Sequence, residues 1–274
     1  MKKTIISCVL FLTAVTAFSQ TPMKTAAEAK LSASDLAVKI ADRILATTTY
    51  EFKNTKTGKT YKSVKNLPLD MNVKVACKYN NWHYTNGVTH IALMELADKT
   101  GAKKYDDYVL KNMNFVFNEG NLDFFKKQYE QAMKNEGWYG VRKLSWHMIF
   151  RGKRLDDNGP MGASLIDLQI KHPNNSFLNY INETAEHLNY GEPRLADGTI
   201  ARIWPHENTI WADDAFMAIS FLARMAKMTG DMSYINDAAN QVIKYHKYLW
   251  CPEKRILYHC YHTDTDEHGV AHWS

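Results

Sequence analysis

Leu96-Ala97-Asp98-Lys99-Thr100-Gly101 leads through three residues to Tyr105, and Met225-Ala226-Lys227-Met228-Thr229-Gly230 leads through three residues to Tyr234. In both, an apolar-periodic run stops at Thr-Gly, a short turn follows and a tyrosine opens the next run. A glycine just past the last periodic residue is the ordinary helix stop, because it enters the left-handed conformation without steric cost. The pattern predicts an α-helical hairpin used twice, and hairpins repeated along a chain stack into arrays. Two copies also leave room for a plain α-bundle.

Outward from these hairpins, period-3.6 patterning recurs and strand-type alternation is rare. Leu36, Ile40, Ala41, Ile44 and Leu45 form one stripe behind Ser34 as N-cap. Tyr84, Val88, Ile91, Ala92 and Leu96 form a second, and Tyr105, Tyr108, Val109, Asn112 and Val116 a third. Phe125, Tyr129 and Met133 mark a weaker fourth. Segments 161–170, 177–188 and 213–228 follow, and Tyr234, Ala238, Val242, Tyr245 and Leu249 complete an eighth, with Pro252 as its stop. The expected fold class is all-α. The breaks at 137–157, 191–213 and 251–274 are long, and loops set on a rigid scaffold are where binding residues gather.

Lys2 and Lys3, a short apolar run from Ile5 to Val15, and Ala17-Phe18-Ser19 read as a secretory signal peptide over 1–19, which implies a secreted or periplasmic protein. Residues 20–274 then form one domain. No later apolar run is long enough to span a membrane. The formal charge of +5 is spread without a basic block, so composition points to no nucleic-acid partner. Beyond Cys8 in the apolar run, Cys77, Cys251 and Cys260 remain; Cys251 and Cys260 read either as a bridge or as two free thiols. The 7 Trp, 15 Tyr and 11 Phe suit either sugar faces or a large aromatic core.

Four segments carry chemistry. Leu155-Asp156-Asp157-Asn158-Gly159-Pro160 sets two carboxylates at a helix start, where capping and the helix dipole are the plain explanation. Thr209-Ile210-Trp211-Ala212-Asp213-Asp214-Ala215-Phe216-Met217 does the same beside a tryptophan. Paired carboxylates at both sites exceed what capping needs. Adjacent carboxylates and an apolar neighbour raise a carboxyl pKa, which keeps a proton available for general acid catalysis. Leu257-Tyr258-His259-Cys260-Tyr261-His262 fits no standard zinc spacing and reads better as hydroxyl-binding histidine. Asn81-Trp82-His83-Tyr84 reads as packing, with a sugar platform as the other reading.

Taken together, Trp82-His83-Tyr84-Thr85-Asn86-Gly87, the two acidic segments, Phe221-Leu222-Ala223-Arg224, Leu249-Trp250-Cys251-Pro252-Glu253 and Ala271-His272-Trp273 resemble glycoside hydrolase family 105, the unsaturated rhamnogalacturonyl hydrolases, and the related family 88. The resemblance runs from about Trp82 to the last residue. It implies an (α/α)6 barrel, of which the chain reads as a C-terminally truncated part. It implies Asp213 as general acid and base, Asp157 as a second pocket carboxylate, and Tyr84, Trp211, His259 and Trp273 as substrate-binding residues. The implied partner is an oligosaccharide left by a polysaccharide lyase, carrying a terminal 4,5-unsaturated uronic acid. The implied reaction is protonation at C4 and attack of water at C5, with no metal or cofactor. Galacturonate and glucuronate are not distinguished. Two other readings stay open: a non-catalytic sugar-binding fragment, and another helical-toroid carbohydrate enzyme such as a lyase or an epimerase.

Overall fold

Glycines at 101 and 230 both take the left-handed conformation, with φ of 70° and 75°, and each N–H closes onto the carbonyl four residues back, at Ala97 and Ala226. The repeated Thr-Gly stop is therefore the same C-cap made twice. In the computed structural model, residues 32–152 and 154–270 are described; the expected signal peptide and Trp273 lie outside them. The chain forms two compact units, residues 1–42 and 43–274.

Helix α1 spans Ala33–Thr47. Its cap is Ser32 rather than Ser34: the Ser32 hydroxyl accepts from the Asp35 N–H at 3.1 Å, and Asp35 reaches back to the Ser32 N–H. This reciprocal pair is a capping box, which Ser34 is too far inside the helix to make.

The second unit carries the long helices α2 (Tyr84–Thr100), α3 (Lys104–Val116), α4 (Glu119–Glu136), α7 (Leu155–Lys171), α8 (Asn175–Glu186), α9 (Ala212–Thr229) and α10 (Met232–Leu249). Two four-residue helices, α5 (Trp138–Val141) and α6 (Met148–Arg151), break up the stretch read as loop before α7. Helix α8 runs into a π-turn over His187–Gly191. Three small antiparallel sheets accompany the helices: β1 (Phe52–Asn54) between β2 (Thr60–Tyr61) and β3 (Val73–Val75), β5 (Trp250–Cys251) with β6 (Ile256–Leu257), and β7 (Cys260–His262) between β4 (Thr209–Trp211) and β8 (Glu267–His268). These strands are two or three residues long, too short to show in a sequence period.

The helices pair as hairpins α2–α3, α7–α8 and α9–α10, and one helix of each hairpin also touches the next: α2 packs on α7, and α7 on α9. That is the construction of an (α/α)6 barrel, with inner helices side by side and their partners outside. Helix α7 is the most enclosed, with Leu155, Met161, Leu165, Ile166 and Leu168 all buried. Two glycines permit the close approach. A Cβ at Gly159 would stand 2.5 Å from the Met217 carbonyl oxygen of α9, and one at Gly87 would collide with the Pro160–Met161 backbone of α7. The approach brings the starts of α2, α7 and α9, where the acidic segments lie, to one end.

Among the described residues no helix is long and apolar enough to cross a membrane. Cys77, Cys251 and Cys260 are free thiols, which answers the open question about Cys251 and Cys260.

Candidate active site

None of the four aspartates caps its helix. Arg154 precedes α7 and Trp211 precedes α9, both with extended backbone and neither with a side-chain cap. The capping explanation therefore fails, and the carboxylates have other partners.

Three of them gather on one cation. Arg202, in the loop before β4, donates from Nε to Asp214 Oδ2 at 2.6 Å and from Nη2 to Asp214 Oδ1 at 2.7 Å. The same Nη2 lies 3.4 Å from Asp213 Oδ2 and 4.0 Å from Asp156 Oδ1. Oxygens of Asp156, Asp213 and Asp214 all lie within 4.8 Å of one another. Such a trio has the donor set for a cation, and the cation it holds here is the guanidinium. Three negative charges against one positive charge favour retention of a proton. Burial, with Asp213 and Asp156 adding to it, pushes the Asp214 carboxyl up to about 7 against the opposing pull of Arg202.

Asp213 differs from Asp214. Asp214 has both oxygens on Arg202 and is 2% exposed. The Asp213 side chain is 27% exposed, and its Oδ1, itself shielded from solvent, has no hydrogen-bond partner among the described residues. A shielded carboxylate oxygen without a donor is costly, and the cost falls when that oxygen carries a proton or meets a ligand donor.

Asp157, expected as a second pocket carboxylate, stands outside this cluster. Its side chain is fully buried, and Arg151 holds both of its oxygens. Burial raises the Asp157 carboxyl while Arg151 opposes the shift. The Asp157 carbonyl accepts from Trp82 Nε1 at 2.6 Å. Asp157 thus ties α6, the start of α7 and the buried Trp82 together, and Asp156 takes the place beside Asp213. Which of two adjacent aspartates faces the site depends on helix phase, and a sequence motif does not settle phase at a helix's first turn.

Trp211 and His259 come together. Trp211 lies under the Arg202 guanidinium, 4.7 Å from ring centre to carbon, and meets the His259 ring edge-on at 5.0 Å. Pairing of β4 with β7 sets this contact, and the Ala212 N–H donates to the His259 carbonyl at 2.9 Å. Tyr84 opens α2, half-buried, with its ring 4.5 Å from that of His83. His83 feels both Asp156 and Asp157, although burial lowers its pKa overall. Tyr84 is therefore near the acidic end of the helices without touching the trio. Trp82 is packing: it is fully buried against Tyr180, Phe117 and Trp146.

Beside the trio opens a cleft of about 210 Å³, lined by Arg154, Asp156, His187, Glu192, Arg202, Trp204 and Asp214 among others. His187 and Glu192 close one wall through a 2.9 Å contact. Arg202, Arg154 and Trp204 were not singled out in the sequence, and Asp156 only as one of a carboxylate pair. Arg202 had a signal: two acidic pairs at helix starts need a counter-charge, and the loop 191–213 supplies Arg194 and Arg202. Arg194 is taken by Asp237 at 2.8 Å, which leaves Arg202.

Stacked α-hairpins, two of whose inner helices begin in paired carboxylates, define a protein of the (α/α)6-barrel class. The chain belongs to glycosyl hydrolase family 88, whose model matches residues 56–274. It is similar in fold to a possible family 105 member from Salmonella enterica serovar Paratyphi A, with 14% identity and a TM-score of 0.55 over 87% of this chain and 55% of that one. It is similar to a possible family 105 member from Klebsiella pneumoniae, with 12% identity and a TM-score of 0.55 over 87% and 54%. A family 105 glycoside hydrolase from C. acetobutylicum gives 20% identity and a TM-score of 0.54 over 88% and 54%. The chain spans about half the length of these structures. No curated protein matches it.

Proposed function

We propose that the protein hydrolyses oligosaccharides ending in a 4,5-unsaturated uronic acid, with Asp213 as general acid and base. The observation that carries this is the shielded Asp213 Oδ1, which stands beside two other carboxylates with no hydrogen-bond partner among the described residues. Membership of family 88 and the resemblance of the acidic segments to the unsaturated uronyl hydrolases support it.

In this reading a proton on Asp213 passes to C4 of the enol ether. The electron pair of the C4=C5 bond forms the new C–H bond, and positive charge develops at C5 and the ring oxygen. The Asp213 carboxylate then takes a proton from water as the water oxygen bonds to C5. The hemiketal opens and releases the neighbouring sugar. One residue serves both steps, so no second nucleophile at a fixed carboxylate spacing is required. Asp156 hydrogen-bonds the substrate or the attacking water, and Arg202 restrains the build-up of negative charge. Asp157 acts as a positioning residue through Arg151 and Trp82. Trp211 and His259 flank the site, and Trp273 is proposed as a further pocket residue. A signal peptide over 1–19 would place the enzyme outside the cytoplasm, where lyase products arise.

Asp214 is a neighbouring carboxyl group whose pKa burial raises to about 7. Both of its oxygens are engaged by Arg202, so none is left to face a substrate.

The test is turnover of lyase-generated disaccharides, followed by loss of the unsaturated chromophore's absorbance. Asp213→Asn lowers kcat by at least about 10²-fold while binding persists. Near-normal turnover in that variant rejects the assignment.

A further inference from the structure

Resting on the reading above, we propose that Arg154, held over the Trp204 ring, receives the anionic group of the sugar that enters the cleft.

The guanidinium carbon of Arg154 lies 4.6 Å from the Trp204 ring centre, and both residues line the cleft that holds Asp156 and Asp214. They come from different elements: Arg154 precedes α7, and Trp204 lies in the loop before β4. Trp204 is 60% exposed, unusual for so large an apolar ring on a protein surface. A stacked guanidinium keeps its plane against the ring and turns its N–H edges outward, where they match a planar carboxylate or a sulfate.

The neighbouring arginines are already spent. Arg151 is bound to Asp157, Arg194 to Asp237 and Arg202 to the acidic trio. Arg154 has no carboxylate within 4.0 Å among the described residues, although Asp156 and Asp157 influence it at longer range. It is the cleft's guanidinium with donors uncommitted, and Asp156 and Asp214, which line the same cleft, give an anion no competing place to bind. A substrate carrying both a reactive alkene and an acidic group is oriented in this way: its anion at Arg154, its ring carbon toward the aspartates. Trp204 is the positioning residue of the pair.

The experiment uses the full chain and a matched pair of unsaturated disaccharides, one with a free C6 carboxylate and one as its methyl ester. A second pair differs only in a sulfate on the neighbouring sugar. The wild-type protein shows a KM lower by about 10-fold or more for the anionic member, the range of a charge-assisted contact. Arg154→Gln erases that preference, Arg154→Lys restores part of it, and Trp204→Ala weakens it in the same direction. Discrimination confined to the first pair identifies the uronate carboxylate, and discrimination confined to the second identifies sulfate; either supports an anion receptor. Equal loss on charged and neutral members in Arg154→Gln overturns the proposal, and so does unchanged KM on all four. Calorimetric binding of the same compounds to Asp213→Asn separates this inference from the catalytic one. Arg154-dependent anion binding alongside full turnover in Asp213→Asn would keep the receptor and discard the acid.

Discussion

Replacing Gly159 by alanine adds one methyl group where two inner helices touch. The new Cβ would stand 2.5 Å from the Met217 carbonyl oxygen and 2.9 Å from that residue's Cα and carbonyl carbon. Ordinary contact begins at 3.4 Å, so α7 and α9 must separate by about 3.4 − 2.5 = 0.9 Å at this point. The obstacle is main chain within a helix, so no side-chain rotation relieves it. Overpacking of this kind costs roughly 1–3 kcal/mol. For a unit of this size that lowers Tm by about 2–12 °C. The functional cost is larger in proportion, because Asp156 on α7 and Asp213 on α9 sit one turn from the contact. A displacement near 1 Å at a reacting centre costs about 10²-fold in rate. Differential scanning calorimetry reads the first effect and kcat/KM the second. Unchanged Tm together with unchanged turnover in Gly159→Ala would refute the claim that this close approach assembles the site.

Two further outcomes follow from the same geometry. The Asp214 carboxyl is raised from 3.8 to about 7, so the folded protein binds this proton more tightly than the unfolded chain. The resulting stabilisation is fully present below about pH 4 and lost as pH rises through 7, of order 4 kcal/mol in all. Asp214→Asn flattens that dependence, and the Tm difference between the two proteins changes by roughly 10 °C between pH 4 and 8; parallel pH profiles would remove Asp214 as the titrating group. Gly101→Ala and Gly230→Ala each place a side chain at positive φ and cost roughly 1 kcal/mol, adding independently in the double variant. Chemical denaturation measures both, and a neutral Gly230→Ala would show that its cap is dispensable.

Helix periods and glycine stops made the long helices readable, because burial on one face and a left-handed stop leave marks at fixed spacing. Helices α2, α3, α9 and α10 begin and end within a few residues of the expected positions. The helices α5 and α6 were missed because four residues carry no period. The short strands were missed for the same reason, although β4 and β7 set the Trp211–His259 contact. At the site, the carboxylate pairs were visible, but their phase was not: Asp156 and Asp157 point apart because consecutive helical residues are turned by about 100°. Arg202 lay in a loop, where partner choice depends on the folded path rather than on spacing. The pairing of Arg154 with Trp204 joins residues fifty positions apart, beyond any local pattern.

The described tryptophans run from fully buried to well exposed, with Trp138, Trp204 and Trp250 at the exposed end. Trp82 and Trp146 are fully buried in a ring cluster, whereas Trp204 is exposed at the mouth of the cleft. The first pair emits from an apolar, rigid surrounding and is out of reach of aqueous quenchers; Trp204 emits from water and is open to them. Acrylamide quenching therefore resolves an accessible and an inaccessible fraction in one emission spectrum. The part of the accessible fraction that Trp204→Phe removes reports cleft occupancy, and the buried pair is an internal reference for the integrity of the core.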